Sequence, residues 1–245
     1  MKNKIIITSG GTSERIDNVR KITNSSTGKL GFTIANKLIE LKDNMIDKIY
    51  YVCSKNAYKP DNKKIEIIEV VDTNDLKNVI ERLLKDNEIN YFIHAMAVSD
   101  YTVDFVTTAK RIVDKIKRDN DKDLYEIICS DTDCIKDTKI SSYEDDLFIK
   151  LKRTPKIISL IKDISPDTYL VGFKLLDDVN KDKLIDVAIK LRDKNNCDLV
   201  VANDLSNIRN GHHIAYILRK DNSYIEASNK EDISIKLVSE MFNND

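Results

Sequence analysis

Residues 4 to 31, KIIITSGGTSERIDNVRKITNSSTGKLG, carry the pattern from which the rest of the chain can be read. Ile5-Ile6-Ile7 is a β-branched apolar run closed by Thr8-Ser9-Gly10-Gly11-Thr12, which predicts a buried parallel strand ending in a turn at the sheet's carboxyl edge. Paired glycines there let backbone N–H groups face outward with no Cβ in the way, and the hydroxyls add donors, as an anionic phosphate requires. A second polar cluster, Thr23-Asn24-Ser25-Ser26-Thr27-Gly28-Lys29, runs into apolar residues at helical spacing, Leu30, Ile34, Leu38 and Leu41. Ser26 or Thr27 is expected to cap that helix, whose positive dipole end then faces the cluster. Four of the six glycines fall in this stretch, which concentrates backbone freedom where something must approach closely.

A glycine pair after a first strand is also a common tight turn, and it is the second hydroxyl cluster in tandem that favours phosphate. The known glycine templates do not fit. A Walker loop needs glycine at position 23 and Ser or Thr at position 30, where Thr23 and Leu30 stand, and no dinucleotide-fingerprint glycine lies near Arg15 to Asp17. A nucleotide or phosphate site of another kind is expected.

A chain of 245 residues is expected to form one domain. Its 40 basic and 41 acidic residues nearly cancel, so no long-range field argues for nucleic acid or an anionic membrane. Cys53, Cys129, Cys134 and Cys197 lack CxxC spacing and read as free thiols in a reducing compartment. No apolar run approaches the ~20 residues of a membrane span, and the chain enters its first strand without a signal peptide, so a soluble, cytoplasmic protein is expected.

Outward from the opening stretch, strands are expected at 48–53, 65–71, 91–95, 147–151, 169–173 and 197–202, with helices at 74–86, 180–194 and 230–242 and a hairpin-like pair at 214–219 and 224–227. The alternation predicts an α/β fold with a mostly parallel sheet flanked by helices, which binds ligands beyond the strands' carboxyl ends. Residues 103 to 138 break the rhythm. They read as an excursion, a lid or an interface arm, with a short helix near 108 to 116 and a possible strand over Tyr125 to Cys129. Thr154 is expected to cap a helix, with Pro155 in its first turn, and Gly172 to sit at a strand's functional edge.

No His or Cys spacing predicts a metal site; His94 reads as a core histidine, and His212-His213 lie in a loop. There is no G-x-S-x-G elbow. Tyr51-Val52-Cys53-Ser54-Lys55 has the Tyr-x-x-x-Lys spacing of an oxidoreductase, but in an early strand, so it is read as chance. What remains is a set of carboxyl-edge groups: the glycines, hydroxyls, Asn24, Lys29, Asp100, Lys139, Phe173, Asn203 and Asp204. Lys139 beside Ser141-Ser142 can meet a phosphate as a point charge. Asp100 can hold a ribose hydroxyl or a metal-bound phosphate, or cap a turn. Phe173 can stack on a base or pack in the core.

Taken with HAMAVSDY (94–101), KISS (139–142), KRTPKII (152–158), LVGFKL (170–175) and DLVVANDL (198–205), the opening stretch makes the chain resemble the phosphopantothenoylcysteine synthetases, the phosphopantothenate-cysteine ligases of coenzyme A biosynthesis. Six motifs in order cover nearly its whole length, and it looks most like the stand-alone bacterial form. The resemblance implies a Rossmann-like fold and a homodimer with active sites near its interface. It further implies 4'-phosphopantothenate and L-cysteine as substrates, with CTP or ATP as co-substrate and Mg2+ carried by the nucleotide, the protein supplying no metal ligand. A carboxylate would attack the α-phosphorus to give an acyl-nucleotidylate and pyrophosphate, and the cysteine amine would then displace the nucleoside monophosphate. By the same resemblance Gly10, Gly11, Thr12 and Ser26 line the triphosphate, Asp100 and Phe173 hold the nucleoside, Lys139 acts on the α-phosphate, and Asn24 positions the acyl intermediate. Ala97, Asn203 and Asp204 fall in matching motifs and are carried over as substrate-binding. One departure is Ile140-Ser141-Ser142 where the bifunctional enzymes have x-Lys-Lys, a form closer to the eukaryotic, ATP-using enzymes, which leaves CTP or ATP open. The other readings are a short-chain-type NAD(P)-dependent oxidoreductase and a non-catalytic nucleotide-binding regulator.

Overall fold

The computed structural model describes residues 2–209 and 213–243, so His212 of the histidine pair lies outside the described residues. The opening apolar run forms β1 (Asn3–Ser9), and its alternation sorts the core. Ile5 and Ile7 join one buried cluster and Ile6 the other, as the two-residue period of a strand covered on both faces requires. After the short hairpin β2 (Ser13–Arg15) and β3 (Lys21–Thr23) come α1 (Lys29–Lys42), β4 (Ile46–Ser54), β5 (Ile65–Val70), α2 (Thr73–Asp86) and β6 (Tyr91–His94). The excursion follows as β7 (Tyr101–Thr108), α3 (Ala109–Arg118), α4 (Leu124–Cys129) and β8 (Leu147–Arg153). Then come α5 (Ile157–Ile164), β9 (Tyr169–Leu176), α6 (Lys181–Asn195), β10 (Leu199–Asp204), α7 (Leu205–Arg209), β11 (Ala215–Leu218), β12 (Tyr224–Ala227) and α8 (Lys230–Met241).

The main sheet runs β12-β11-β10-β9-β6-β1-β4-β5. From β5 to β10 every pairing is parallel, and β11 and β12 close the edge antiparallel. In chain order the parallel strands stand 3-2-1-4-5-6, the doubly wound Rossmann-like arrangement, whose direction reverses between β1 and β6. The apolar stripes of α1 (Ile34, Leu38) and α8 (Leu237, Val238) cover one face, and those of α2, α5 and α6 (Ile80, Ile161, Leu184) cover the other. Carboxyl-edge loops on either side of the reversal are left to meet one another.

Local expectations are corrected at five points. The N-cap of α1 is Gly28 in the left-handed region (φ +70°), while the Ser26 and Thr27 hydroxyls accept from the N–H groups of Gly28 and Lys29, each at 3.4 Å, from just ahead of it. Tyr125–Cys129 is helical because the Asp123 carboxylate caps it, accepting from Glu126 N–H at 3.1 Å. The excursion is also longer than its charged segment, since β7 and β8 pair antiparallel with each other, away from the main sheet, so the arm spans 101–153. Thr154 does not cap α5: its hydroxyl donates to the Ser99 carbonyl at 2.5 Å, and the helix begins at Ile157 behind Lys156. Gly172 lies inside β9, where an added Cβ would stand 3.2 Å from Cys197 Sγ and 3.3 Å from Ile158 Cδ1, so its smallness serves core packing.

Candidate active site

At the reversal, β1 and β6 leave the sheet together and their loops are stitched. Gly11 bridges to Ala97, Ala97 N–H donates to Gly10 O at 2.9 Å, and Thr12 N–H donates to Ala97 O at 3.1 Å. The Asn24 amide donates to the same carbonyl at 3.1 Å. Gly10 is left-handed (φ +86°), and a Cβ on Gly11 would stand 2.4 Å from Asn24 O, so only glycine fits this turn. Thr12, almost fully buried, exchanges hydrogen bonds with Ser99. Gly10, Gly11 and Thr12 are buried and Asn24 half-buried, and their bonds shape the loops on which a ligand would rest.

In front of them opens a cleft of about 590 Å³. Of the residues expected from the sequence, it gathers Ser26, Ala97, Asp100, Phe173 and Asn203. It also takes in Gly28, from the second polar cluster, and Gly31, the last glycine of the opening stretch. Gly31 lets α1 rest on β1, since a Cβ there would be 2.5 Å from Ser9 Oγ and 2.8 Å from Ser9 Cβ. Ser9 Oγ in turn donates to Gly28 O at 3.0 Å. Beside the Ser26 and Thr27 hydroxyls, the positive end of α1 faces the cleft, the geometry that receives anions. Lys29, Lys156, Lys174, Lys194 and Lys230 line the same space against one carboxylate, Asp100, so a nearly neutral chain has a locally basic cleft. Lys156 is already ion-paired with Asp100.

Two of the expected groups stand elsewhere. Asp204 is buried at the end of β10 and accepts from Asp178 N–H (3.2 Å), Val179 N–H (2.8 Å), and Ser206 N–H (2.7 Å) and Oγ (2.5 Å). The Ser206 hydroxyl first and the Val179 amide next hold its pKa down to about 2. It ties β10 and α7 to the loop after β9. Lys139 is exposed on the returning limb of the arm, outside the cleft lining. Its neighbour Ile140 donates N–H to Asp17 Oδ2 at 3.1 Å and accepts from the Arg20 guanidinium, which fastens KISS to the β2–β3 turn of the first motif.

Two histidines reach the cleft. His94 Nδ1 lies 2.9 Å from Thr8 Oγ1, and burial lowers its pKa to about 4, so it is neutral at neutral pH. His213 is lowered to about 4 by burial and by the Lys230 charge, and its Nε2 is buried with no hydrogen-bond partner. Tyr51 is fully buried in β4, its hydroxyl donating to Tyr58 O at 3.0 Å, so the Tyr-x-x-x-Lys spacing presents no acid to the cleft.

Fold and site together define a doubly wound α/β protein with an anion-receiving cleft at its switch point. The chain belongs to the family described as DNA/pantothenate metabolism flavoprotein C-terminal domain, which matches residues 1–134 and 131–244. It is similar to the coenzyme A biosynthesis bifunctional protein CoaBC of Thermococcus kodakarensis, 30% identical over 202 residues that cover 82% of this chain and 41% of that one. The CoaBC of Methanocaldococcus jannaschii is 28% identical over 241 residues, covering 98% of this chain and 50% of its own. The chain therefore spans half or less of the length of these relatives. Among solved structures, the DNA/pantothenate metabolism flavoprotein from Streptococcus pneumoniae superposes with a TM-score of 0.84 at 36% identity, covering 99% of this chain and 100% of that one.

Proposed function

We propose that the protein joins 4'-phosphopantothenate to L-cysteine through an acyl-nucleotidylate, as a ligase of coenzyme A biosynthesis in the cytoplasm. The observation that carries this reading is the start of α1 at Gly28 facing a cleft with five lysines, in a chain whose relatives are coenzyme A biosynthesis proteins. Such a site positions anions and stabilises developing charge, which is what nucleotidyl transfer to a carboxylate needs.

In this account the triphosphate of CTP or ATP lies across Ser26 and the start of α1, with Gly10, Gly11 and Thr12 fixing that edge from behind. Asp100 and Phe173 hold the nucleoside, and Asn203 and Ala97 contact substrate. As the phosphopantothenate carboxylate bonds to the α-phosphorus, the bond to pyrophosphate breaks and charge grows on the non-bridging oxygens. In the second step the cysteine amine attacks the acyl carbon, the amide forms and the nucleoside monophosphate leaves. Asn24, beside Ala97, keeps the acyl group in line. Asp100 is the single carboxylate among the described lining residues, a donor set suited to Mg2+ carried by phosphates, where it neutralises their charge.

Lys139 serves the α-phosphate across a homodimer. The arm's paired strands expose Ile149 and Leu151, and a two-stranded sheet with an open apolar face needs cover. A second copy supplies that cover and brings the KISS limb near a cleft. Incubating the protein with nucleoside triphosphate, magnesium, phosphopantothenate and cysteine tests the function. Amide product and pyrophosphate that require both organic substrates are expected, whereas nicotinamide reduction or binding without turnover would overturn it.

A further inference from the structure

Lys139 rides on a limb with little structure of its own. Between α4 and β8, residues 136–145 form no helix or strand, and among the described residues their hydrogen bonds to other elements all go to the β2–β3 turn. Asn18 N–H donates to Thr138 O at 3.0 Å, Ile140 N–H donates to Asp17 Oδ2 at 3.1 Å, and the Arg20 guanidinium donates to Ile140 O. The residues on either side of Lys139 are thus held, Ile140 with its side chain buried, while Lys139 itself is exposed. Asp17 is the centre of this hold, with a side chain only 1% exposed. Its Oδ1 accepts from Val19 N–H at 2.8 Å and from Arg20 N–H at 2.7 Å, which closes the turn. Its Oδ2 lies 3.1 Å from Arg20 Nε, which steadies the guanidinium that reaches Ile140. The Arg20 N–H first, with those of Val19 and Ile140, holds the carboxyl pKa below its ordinary value, so the group is ionised at neutral pH. A residue that only shaped a turn would need Oδ1 alone; here the second oxygen is given to the limb.

We propose that Asp17 is a positioning residue for nucleotidylate formation, fixing the backbone around Lys139 so that its ammonium is presented to the α-phosphate. The inference rests on the ligase reading and on the part that reading gives Lys139, and it adds the group that acts through that lysine. An irregular limb loses conformational freedom each time its lysine is placed, and a limb fastened beforehand has already lost it.

Single-turnover nucleotidylate formation by the full chain, with cysteine omitted and nucleotide saturating, tests this as a double-mutant cycle. Asp17→Asn keeps the Oδ1 acceptor of the turn but sets an amide N–H group against the Ile140 N–H. It should slow the step by about tenfold or more with the nucleotide Kd unchanged. Trypsin should cut it after Lys139 faster than it cuts wild type, since the Ile140 N–H is released, while thermal melts still show a folded chain. With Lys139→Gln already in place, adding Asp17→Asn should cost nothing further. Losses that multiply in the double variant, a Kd weakened as much as the rate, or unchanged cleavage after Lys139 would each overturn the inference. Lys139→Gln at the wild-type rate would overturn it together with the lysine's role. A wild-type chain that forms no nucleotidylate would instead refute the ligase reading itself.

Discussion

Gly31 shows how one missing methyl group positions a site. Alanine is the better helix former, yet its Cβ would press on the fixed Cβ of Ser9 at 2.8 Å, and overpacking of that kind costs about 1–3 kcal/mol. Gly31→Ala should therefore lower the melting temperature and raise the KM for nucleotide, because α1 must lift from β1; a more stable variant with unchanged KM would contradict the close approach. Lysine roles are tested at the same scale. Lys139→Gln should slow nucleotidylate formation roughly 100- to 1000-fold, the usual loss of one transition-state donor. Lys156→Gln, which releases Asp100 from its ion pair, should act mainly on nucleotide affinity. Stopped-flow pyrophosphate detection separates these, and the reverse pattern would hand the α-phosphate to Lys156. The hydroxyls and glycines of the first motif were visible in the sequence, but their division of labour was not. That Gly10 and Gly11 close a turn while Gly28 and Gly31 open a helix start depends on contacts with Ser9, Ser54 and Asn24, which come from other elements.

The elements of the main sheet were legible because each is a contiguous apolar run with turn residues after it, as Ile5–Ile7, Tyr91–Ile93 and Leu199–Ala202 show. The arm was not. Tyr101–Thr108 mixes threonines with a mid-strand Asp104, and its partner β8 lies about forty residues on, a long-range pairing that periodicity cannot reveal. Asp104 sits at the bulge between Val103 and Phe105 and pairs with Lys150 (2.9 Å) and Lys152 (3.1 Å), so these charges fasten the two strands. At the junction of β10 and α7, Asp204 makes stability depend on acid. Its folded pKa, about 2, lies below the ordinary carboxylate value of ~3.9, so its contribution is complete above pH ~4 and fades as pH falls toward 2. Asp204→Asn should be less stable than wild type at neutral pH, with the gap narrowing toward pH 2 in thermal melts. A gap constant across that window would mean that the carboxylate's charge is immaterial there.

For the whole molecule, the proposed function joins assembly and chemistry through the arm. A homodimer covering Ile149 and Leu151 predicts that Leu151→Glu, at an exposed position, shifts sedimentation from dimer to monomer and lowers turnover while leaving the main sheet folded. Monomeric wild-type protein with full activity would separate the arm from catalysis. Charge works at this scale too: with near-zero net charge overall, the five cleft lysines make a local target for anions. Leaving out cysteine tests nucleotidylate formation most directly. Mass spectrometry of protein mixed with CTP or ATP, magnesium and phosphopantothenate should find the phosphopantothenoyl-nucleotidylate in step with pyrophosphate, and added cysteine should convert it to amide product and nucleoside monophosphate. Amide formation with release of nucleoside diphosphate and phosphate, and no nucleotidylate at any time, would contradict it.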